Sequence, residues 1–183
     1  MKVKFRFSGR GGQGIKFLGS ALVRVAMVAK LHATLSVDYT PSVRGGPIFC
    51  DVVISDEPID YPYCDGDADY FLALDQKGFE RACECLSDKT ASFIDEGSID
   101  SVAEEIIKQG MTRVLFNKRA DENNVTGSVN ILSLGFLSEY LQKVGEPDLK
   151  EDQYIQVFNN MRNSEMNIRT FQIGKDLYQE TFA

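Results

Sequence analysis

The chain has 183 residues, a hydrophobic share of 43% and a formal net charge of −7 at pH 7. This length suits one domain with a sizeable core, and we expect a single domain over residues 1–183. The acidic balance argues against nucleic acid or an anionic membrane as the main partner, because both require a basic surface. No apolar run approaches the roughly 18 residues that a membrane span requires, and we expect a cytoplasmic protein.

The first two-thirds of the chain alternates strand-like and helix-like segments. Residues 2–7 predict a strand, and apolar residues at helical spacing from Ile15 to Ala29 predict an amphipathic helix. Further strands are predicted over 33–37, 48–55, 68–74, 90–94 and 112–116, and further helices over 76–86 and 101–109. This alternation is typical of an α/β fold with a mainly parallel sheet.

The last third changes character. Residues 118–127 are polar, and helices are predicted over 129–144, 150–163 and 164–178. No internal repeat or Pro/Ser-rich linker separates this region from the rest. We therefore expect a three-layer domain in which the C-terminal helices pack on the same sheet.

A glycine-rich turn follows the first predicted strand and opens the first helix. Gly9-x-Gly11-x-x-Gly14 has the spacing of a dinucleotide-binding fingerprint, and Asp38 ends the second strand where a ribose-binding acid would lie. Helix N-termini with glycines before them bind anions, because free N–H groups and a partial positive charge face the ligand. The alternative is a tight turn that needs glycine for its geometry alone.

A second glycine pair lies in the loop before the third predicted strand. Arg44 could bind a phosphate or carboxylate through two parallel hydrogen bonds, and Gly45 and Gly46 would let the chain lie flat beside it. The alternative is a surface loop with a solvated arginine.

Other polar residues have simpler interpretations. Asp65, Asp67 and Asp69 alternate, but they lack the glutamate that completes a calcium loop, and a turn is favoured. Asp75 and Asp95 end strands, and we favour helix caps. We expect no metal site.

No hydrolytic triad can be assembled, because His32 is the only histidine and is expected to be structural. The cysteines lack the paired spacing of zinc or iron–sulfur ligands. We expect reduced, structural thiols at Cys50, Cys64, Cys83 and Cys85. The chain is therefore predicted to be a binding module or an enzyme component.

Taken together, five segments resemble the gamma subunit of 2-oxoacid:ferredoxin oxidoreductases. They follow in the same order along almost the whole chain: Gly9-Arg10-Gly11-Gly12-Gln13-Gly14, Tyr39-Thr40-Pro41-Ser42-Val43-Arg44-Gly45-Gly46, Val52-Val53-Ile54-Ser55-Asp56-Glu57-Pro58-Ile59, Ala68-Asp69-Tyr70-Phe71-Leu72-Ala73-Leu74-Asp75, and Asn130-Ile131-Leu132-Ser133-Leu134-Gly135. One departure is the segment 40–42, where the family commonly has Gly-Pro-Glu. The run 46–55 is most similar to the 2-oxoglutarate and branched-chain enzymes.

The resemblance implies an oxidative decarboxylation that makes an acyl-CoA, succinyl-CoA for 2-oxoglutarate, and passes electrons to ferredoxin or flavodoxin. Alpha, beta and delta subunits are implied as partners, and they would hold thiamine diphosphate and the iron–sulfur clusters. This chain lacks the thiamine-binding signature and the cluster cysteines, so it is expected to bind no cofactor alone and to be inactive by itself. Its expected role is to shape the active site and to help bind coenzyme A.

We expect one ligand-facing surface, with backbone groups, a neutral amide donor and one cation suited to the phosphates of coenzyme A. It would be formed by Gly9, Gly11, Gly12, Gln13, Gly14, Arg44, Gly45 and Gly46. Catalytic residues are not identified by the sequence.

Three alternatives stay open. The glycine fingerprint with Asp38 would also suit a stand-alone NAD- or FAD-dependent oxidoreductase. The same fold could serve a non-catalytic adaptor. Within the resembling family, the substrate could be pyruvate or a branched-chain 2-oxoacid.

Overall fold

The computed structural model describes residues 1–39, 45–103 and 110–183. Within these ranges, one sheet contains the strands β1 (Lys2–Arg10), β2 (His32–Tyr39), β3 (Pro47–Ser55), β4 (Tyr70–Ala73), β5 (Ala91–Asp95) and β6 (Thr112–Val114). The α-helices are α1 (Ile15–Val28), α2 (Gln76–Ala82), α3 (Phe116–Glu122), α4 (Val129–Val144), α5 (Glu151–Asn159) and α6 (Ser164–Thr181). None of these helices combines the length and the apolar character needed to cross a bilayer.

The sheet has the strand order β2-β3-β1-β4-β5-β6. Strand β1 runs parallel to β4, β4 to β5 and β5 to β6, whereas β3 runs antiparallel to both of its neighbours, β1 and β2. Five strands therefore point the same way, and the predicted mainly parallel α/β sheet is confirmed. Their carboxyl ends meet at one edge of the sheet, which is where open α/β folds bind ligands.

Alternate residues of β1 face two different layers. Phe5 and Phe7 are fully buried in the larger apolar cluster, which also contains side chains of α1, α4, α5 and α6. Phe93 of β5 contacts Phe136 of α4 at 5.3 Å between ring centroids. The prediction that the C-terminal helices pack on this sheet is confirmed, and burial of each such ring contributes about 2–3 kcal/mol.

The opposite face of the sheet is covered by α2. Phe79 of this helix packs edge-on against Phe71 of β4, with 5.9 Å between the ring centroids. Asp75 caps the helix, because its carboxylate accepts hydrogen bonds from the N–H groups of Lys77 and Gly78. The predicted cap role of Asp75 is therefore confirmed.

Two glycines allow α4 and α6 to cross at backbone contact. A Cβ atom at Gly135 would overlap the carbonyl oxygen of Phe171, and one at Gly174 would overlap the carbonyl oxygen of Leu132. Glycine is required here by the distance between the helices and not by an unusual backbone conformation. The Leu134-Gly135 part of the motif is therefore a packing element.

All four cysteines are free, as predicted. Burial raises the pKa of the Cys50 thiol to about 12 and that of Cys85 to about 11. Cys64 is also buried, and its pKa is raised by burial and by the nearby Asp51 carboxylate. These thiols remain protonated near neutral pH and act as small apolar side chains.

Some predicted boundaries were wrong. The polar segment 118–127 was given no helix, but α3 occupies its first half, because Phe116 and Ala120 lie one turn apart and are both buried. The strand predicted over 112–116 ends at Val114, and the helix predicted over 76–86 ends at Ala82, before a 3-10 turn. The helix predicted over 101–109 falls mostly outside the described residues.

The close crossing of α4 and α6 can be tested by measuring the free energy of unfolding. We expect Gly135→Ala to lower the free energy of unfolding by about 3 kcal/mol, because an added methyl group must push the two backbones apart. Gly127→Ala is the matched control, since a Cβ there meets nothing within 4 Å, and it should change stability by less than about 0.5 kcal/mol. Equal unfolding midpoints in urea for the two variants would contradict the close crossing.

Candidate functional site

The glycine-rich turn connects the carboxyl end of β1 to the start of α1. Gly14 is the N-cap residue of α1 with φ of 73°, and Gly12 has φ of 104°. Both values lie in the left-handed region, which residues with a side chain rarely adopt. The N–H groups in the first turn of α1 have no intrahelical partner, so this turn is a potential anion site.

The second glycine pair lies directly against this turn. The N–H of Gly11 donates a hydrogen bond of 2.9 Å to the carbonyl oxygen of Gly46. A Cβ atom on Gly11 would lie 3.3 Å from the nitrogen of Gly45. The prediction that the two glycine segments fold together at one sheet edge is confirmed for these residues, whereas Arg44 lies outside the described residues.

Two further elements, the helices α2 and α4, contact the turn from other sides. A Cβ atom at Gly78 of α2 would overlap the backbone of Gly9. At the other end of the turn, the side-chain amide of Asn130 donates a 3.3 Å hydrogen bond to the carbonyl oxygen of Gly14. A Cβ atom at Gly14 would overlap this Asn130 side chain. Asn130, the first residue of the fifth motif, therefore holds the turn in place.

Gln13 stabilises the same turn from within. Its Oε1 accepts a hydrogen bond of 2.9 Å from the N–H of Arg10, and its Nε2 donates one of 3.1 Å to the carbonyl oxygen of Leu74 at the end of β4. The side chain thus ties the turn to the neighbouring parallel strand. Its predicted role as a donor to a ligand stays a prediction, and the hydrogen bonds show a positioning role.

A cleft of about 570 Å³ opens beside the turn. Its walls come from three parts of the chain: Arg10, Gly11, Gly12 and Gln13 from the turn, Gly45 from the second glycine pair, and Asn117, Thr126, Gly127 and Val129 from the region around α3 and α4. Among the described lining residues, Arg10 is the one with a charged side chain. A cleft of this size lies within the range of small-molecule sites, about 300–1,000 Å³.

Asn117 and Asp95 fix the far wall of this cleft. The carboxylate of Asp95 is fully buried and accepts hydrogen bonds of 2.8 Å from both the backbone N–H and the side-chain amide of Asn117. Asp95 thus caps the start of α3, which follows the neighbouring strand β6. Asp95 was predicted to be an ordinary cap at its own strand end, but it caps a helix that is distant in sequence. Asn117 was not predicted, although it lies just after a parallel strand.

A buried ion pair supports β1 three residues before the turn. Arg6 and Asp51 form two hydrogen bonds, 2.7 Å from Nε to Oδ1 and 2.9 Å from Nη2 to Oδ2. Burial opposes the charge of Arg6, but the hydrogen bonds and charge of Asp51 outweigh it and raise the pKa of the guanidinium above its ordinary range. The guanidinium also stacks over the Phe49 ring at 4.5 Å. Arg6 is therefore a structural cation.

Asp38 does not lie where a dinucleotide fold would use it. Strand β3 separates β2 from β1, so the end of β2 is two strands away from the glycine turn. The Asp38 carboxylate instead pairs with Arg81 of α2 at 2.5 Å. In dinucleotide-binding folds the second strand is the direct neighbour of the first, and this sheet therefore favours a different ligand geometry.

A comparison with known proteins identifies the family of this chain. A family model for pyruvate ferredoxin/flavodoxin oxidoreductase matches residues 4–177. The chain belongs to this family. The resemblance seen in the motifs is thereby confirmed, and the chain is a subunit of a 2-oxoacid:ferredoxin oxidoreductase.

Relatives of this oxidoreductase chain cover most of its length. The 2-oxoglutarate synthase subunit KorC of Methanocaldococcus jannaschii is 29% identical over 153 residues, which are 82% of this chain and 81% of the relative. The gamma subunit of a keto/oxoacid ferredoxin oxidoreductase from Geobacter sulfurreducens has the same fold, with a TM-score of 0.77, 23% identity, and coverage of 100% and 97%.

A third similar protein is a longer oxidoreductase. The 2-oxoglutarate:ferredoxin oxidoreductase of Magnetococcus marinus, solved with 2-oxoglutarate, coenzyme A and succinyl-CoA, matches with a TM-score of 0.80 and 24% identity. The match covers 98% of this chain and 31% of that protein. The fold of this oxidoreductase chain thus also occurs as one part of a larger polypeptide.

The hydrogen bonds of Gln13 generate a prediction about the turn. We expect Gln13→Met to raise the hydrogen-exchange rate of the Arg10 N–H about tenfold, because the turn loses two hydrogen bonds and about 1–2 kcal/mol of local stability. Gln172→Met is the matched control: that side chain makes one exposed hydrogen bond, to Asp176 on α6. Unchanged exchange at Arg10, measured by NMR, would contradict the positioning role.

Proposed function

We propose that the chain is the gamma subunit of a 2-oxoglutarate:ferredoxin or flavodoxin oxidoreductase. The reaction consumes 2-oxoglutarate and coenzyme A and yields succinyl-CoA, CO2, a proton and two electrons, which pass to the acceptor protein. Support comes from the KorC relative and from the motif run 46–55. A pyruvate or branched-chain substrate is the second candidate, because ketoisovalerate oxidoreductase subunit VorA of Methanothermobacter thermautotrophicus is 23% identical over 98% of this chain.

The contribution of this chain is binding and orientation at the cleft. One observation carries this proposal: the turn and the second glycine pair are joined by the Gly11–Gly46 hydrogen bond and line a single cleft. Cβ atoms at Gly12 and Gly45 would meet nothing within 4 Å, although both residues have positive φ. The backbone is thus bare where it faces the cleft, so a ligand can approach it closely.

The described residues that line the cleft suit an anionic substrate. Backbone N–H groups at a helix start can donate hydrogen bonds to an anion, and the Arg10 side chain can attract its negative charge. Coenzyme A carries phosphates and supplies the thiol that takes up the acyl group. Of the residues predicted to bind it, Gly11, Gly12, Gln13 and Gly45 line the cleft. Gly9, Gly14 and Gly46 support the backbone around them, and Arg44 stays a predicted polar group.

Partner subunits complete the enzyme in this proposal. Alpha, beta and delta subunits would hold thiamine diphosphate and the iron–sulfur clusters, and this chain would close the active site from one side. Thiamine diphosphate supplies the carbanion-stabilising chemistry of the decarboxylation, while residues of this chain orient coenzyme A and exclude water. We further propose a cytoplasmic enzyme, since four free thiols suit a reducing compartment.

The test uses the complex reconstituted from all its subunits. We expect Arg10→Ala and Arg44→Ala each to raise KM for coenzyme A about tenfold, because each removes a charge-assisted hydrogen bond to a phosphate. Lys143→Ala, at an exposed cation near the end of α4 and outside the cleft, is the matched control. Unchanged coenzyme A kinetics in both cleft variants would contradict the binding role, while loss of assembly would show a different role for these arginines.

A further inference from the structure

The solvent-facing side of α1 carries large apolar side chains at helical spacing. Phe17, Ser20, Arg24 and Met27 recur at intervals of three, four and three residues, so they lie along one stripe of the helix. Met27 is 64% exposed and Phe17 is 37% exposed. The inward stripe of the same helix is buried in the core, so α1 has apolar residues on both sides.

The turn between α5 and α6 extends this stripe into a broader surface. A depression of about 410 Å³ lies between α1 and Met161, and a second one of about 810 Å³ lies between Met161 and the start of α6. Met166, in the first turn of α6, is 44% exposed. We call this surface the α1 face and define it by Phe17, Arg24, Met27, Met161, Met166 and Arg169.

The charge of the α1 face is opposite to that of the whole chain. The described residues that line its two depressions include the cations Lys16, Arg24 and Arg169 and one carboxylate, Glu165, for a local charge of +2. The chain as a whole carries −7. Arginine, aromatic residues and methionine are the residue types enriched at protein interfaces, and methionine adapts to an irregular partner surface.

We propose that the α1 face is the docking surface for a partner subunit that presents apolar side chains rimmed by Asp and Glu. The proposal rests on the proposed function, because it requires a multi-subunit oxidoreductase. A second copy of this chain fits poorly, since a two-fold contact would place this positively charged surface against the same positively charged surface of the other copy. An acidic partner surface would neutralise this charge and bury the exposed apolar area.

The first test is methionine oxidation by hydrogen peroxide, followed by peptide mass spectrometry. In the isolated chain we expect Met27 and Met166 to oxidise readily, and in the assembled complex we expect each to oxidise at least about tenfold more slowly, because the partner excludes the oxidant. All five methionines of the chain should react after denaturation of the complex. Equal oxidation of Met27 and Met166 in both states would overturn the proposal.

The second test reverses charge on this surface. We expect Arg24→Glu combined with Arg169→Glu to weaken binding to the partner subunits about tenfold or more, since like charges then face each other. Lys143→Glu, an exposed residue at the end of α4, is the matched control and should leave binding unchanged. Circular dichroism of the isolated variants separates a lost interface from a lost fold.

The outcomes distinguish this inference from the function on which it rests. If no complex forms between the wild-type chain and thiamine-binding and cluster-binding subunits, the proposed function fails. If the complex forms but the charge reversal leaves its affinity unchanged, the docking surface lies elsewhere. If Met27 and Met166 become protected in the isolated chain as its concentration rises, a second copy covers the face and the partner assignment is wrong.

Discussion

The structure depends on one crowded backbone region, the turn from Gly9 to Gly14. Gly78 of helix α2 contacts the backbone of Gly9. The carbonyl oxygen of Gly46 accepts a hydrogen bond from the N–H of Gly11. The side chain of Asn130 on α4 donates a hydrogen bond to the carbonyl oxygen of Gly14. A Cβ atom at Gly78 would overlap the backbone of Gly9, and one at Gly14 would overlap the Asn130 side chain. The turn therefore fixes how the sheet, both helical layers and the second glycine pair meet, and a substitution there disturbs several elements at once.

This crowding explains how the same turn can be rigid and still open to a ligand. On its inner side, the turn is held by the hydrogen bond from the Gln13 side chain to the carbonyl oxygen of Leu74. On its outer side, Gly12 and Gly45 face open space. A preorganised backbone loses little entropy when a phosphate binds to it, which favours affinity. In the proposed function, this chain presents fixed N–H groups and positive charge to a substrate that reacts on a partner subunit. The α1 face, which begins at Phe17 after the glycine turn, is the docking surface that we propose for that partner.

The local parts of this structure were predictable from the sequence, and the long-range parts were not. The helical spacing of apolar residues predicted the end of α1 to within one residue and both ends of α4, because both helices are long and periodic. The wrong assignment of α3 arose because only Phe116 and Ala120 mark its buried side. Family motifs joined the two glycine segments correctly. Gly78, Gly174 and Asn117 were missed because their roles depend on elements far away in sequence, and no local pattern distinguishes a glycine at a helix crossing from one in a loop.

In the proposed function, the cleft formed by the two glycine segments faces coenzyme A in the assembled enzyme. The most direct measurement is a cryo-EM structure of the complete complex with coenzyme A bound. We expect a polar group of coenzyme A within about 3 Å of backbone N–H groups in the segments 11–14 or 45–46, with a partner subunit covering the opposite side. Coenzyme A held entirely by other subunits, with this cleft open to solvent, would contradict it.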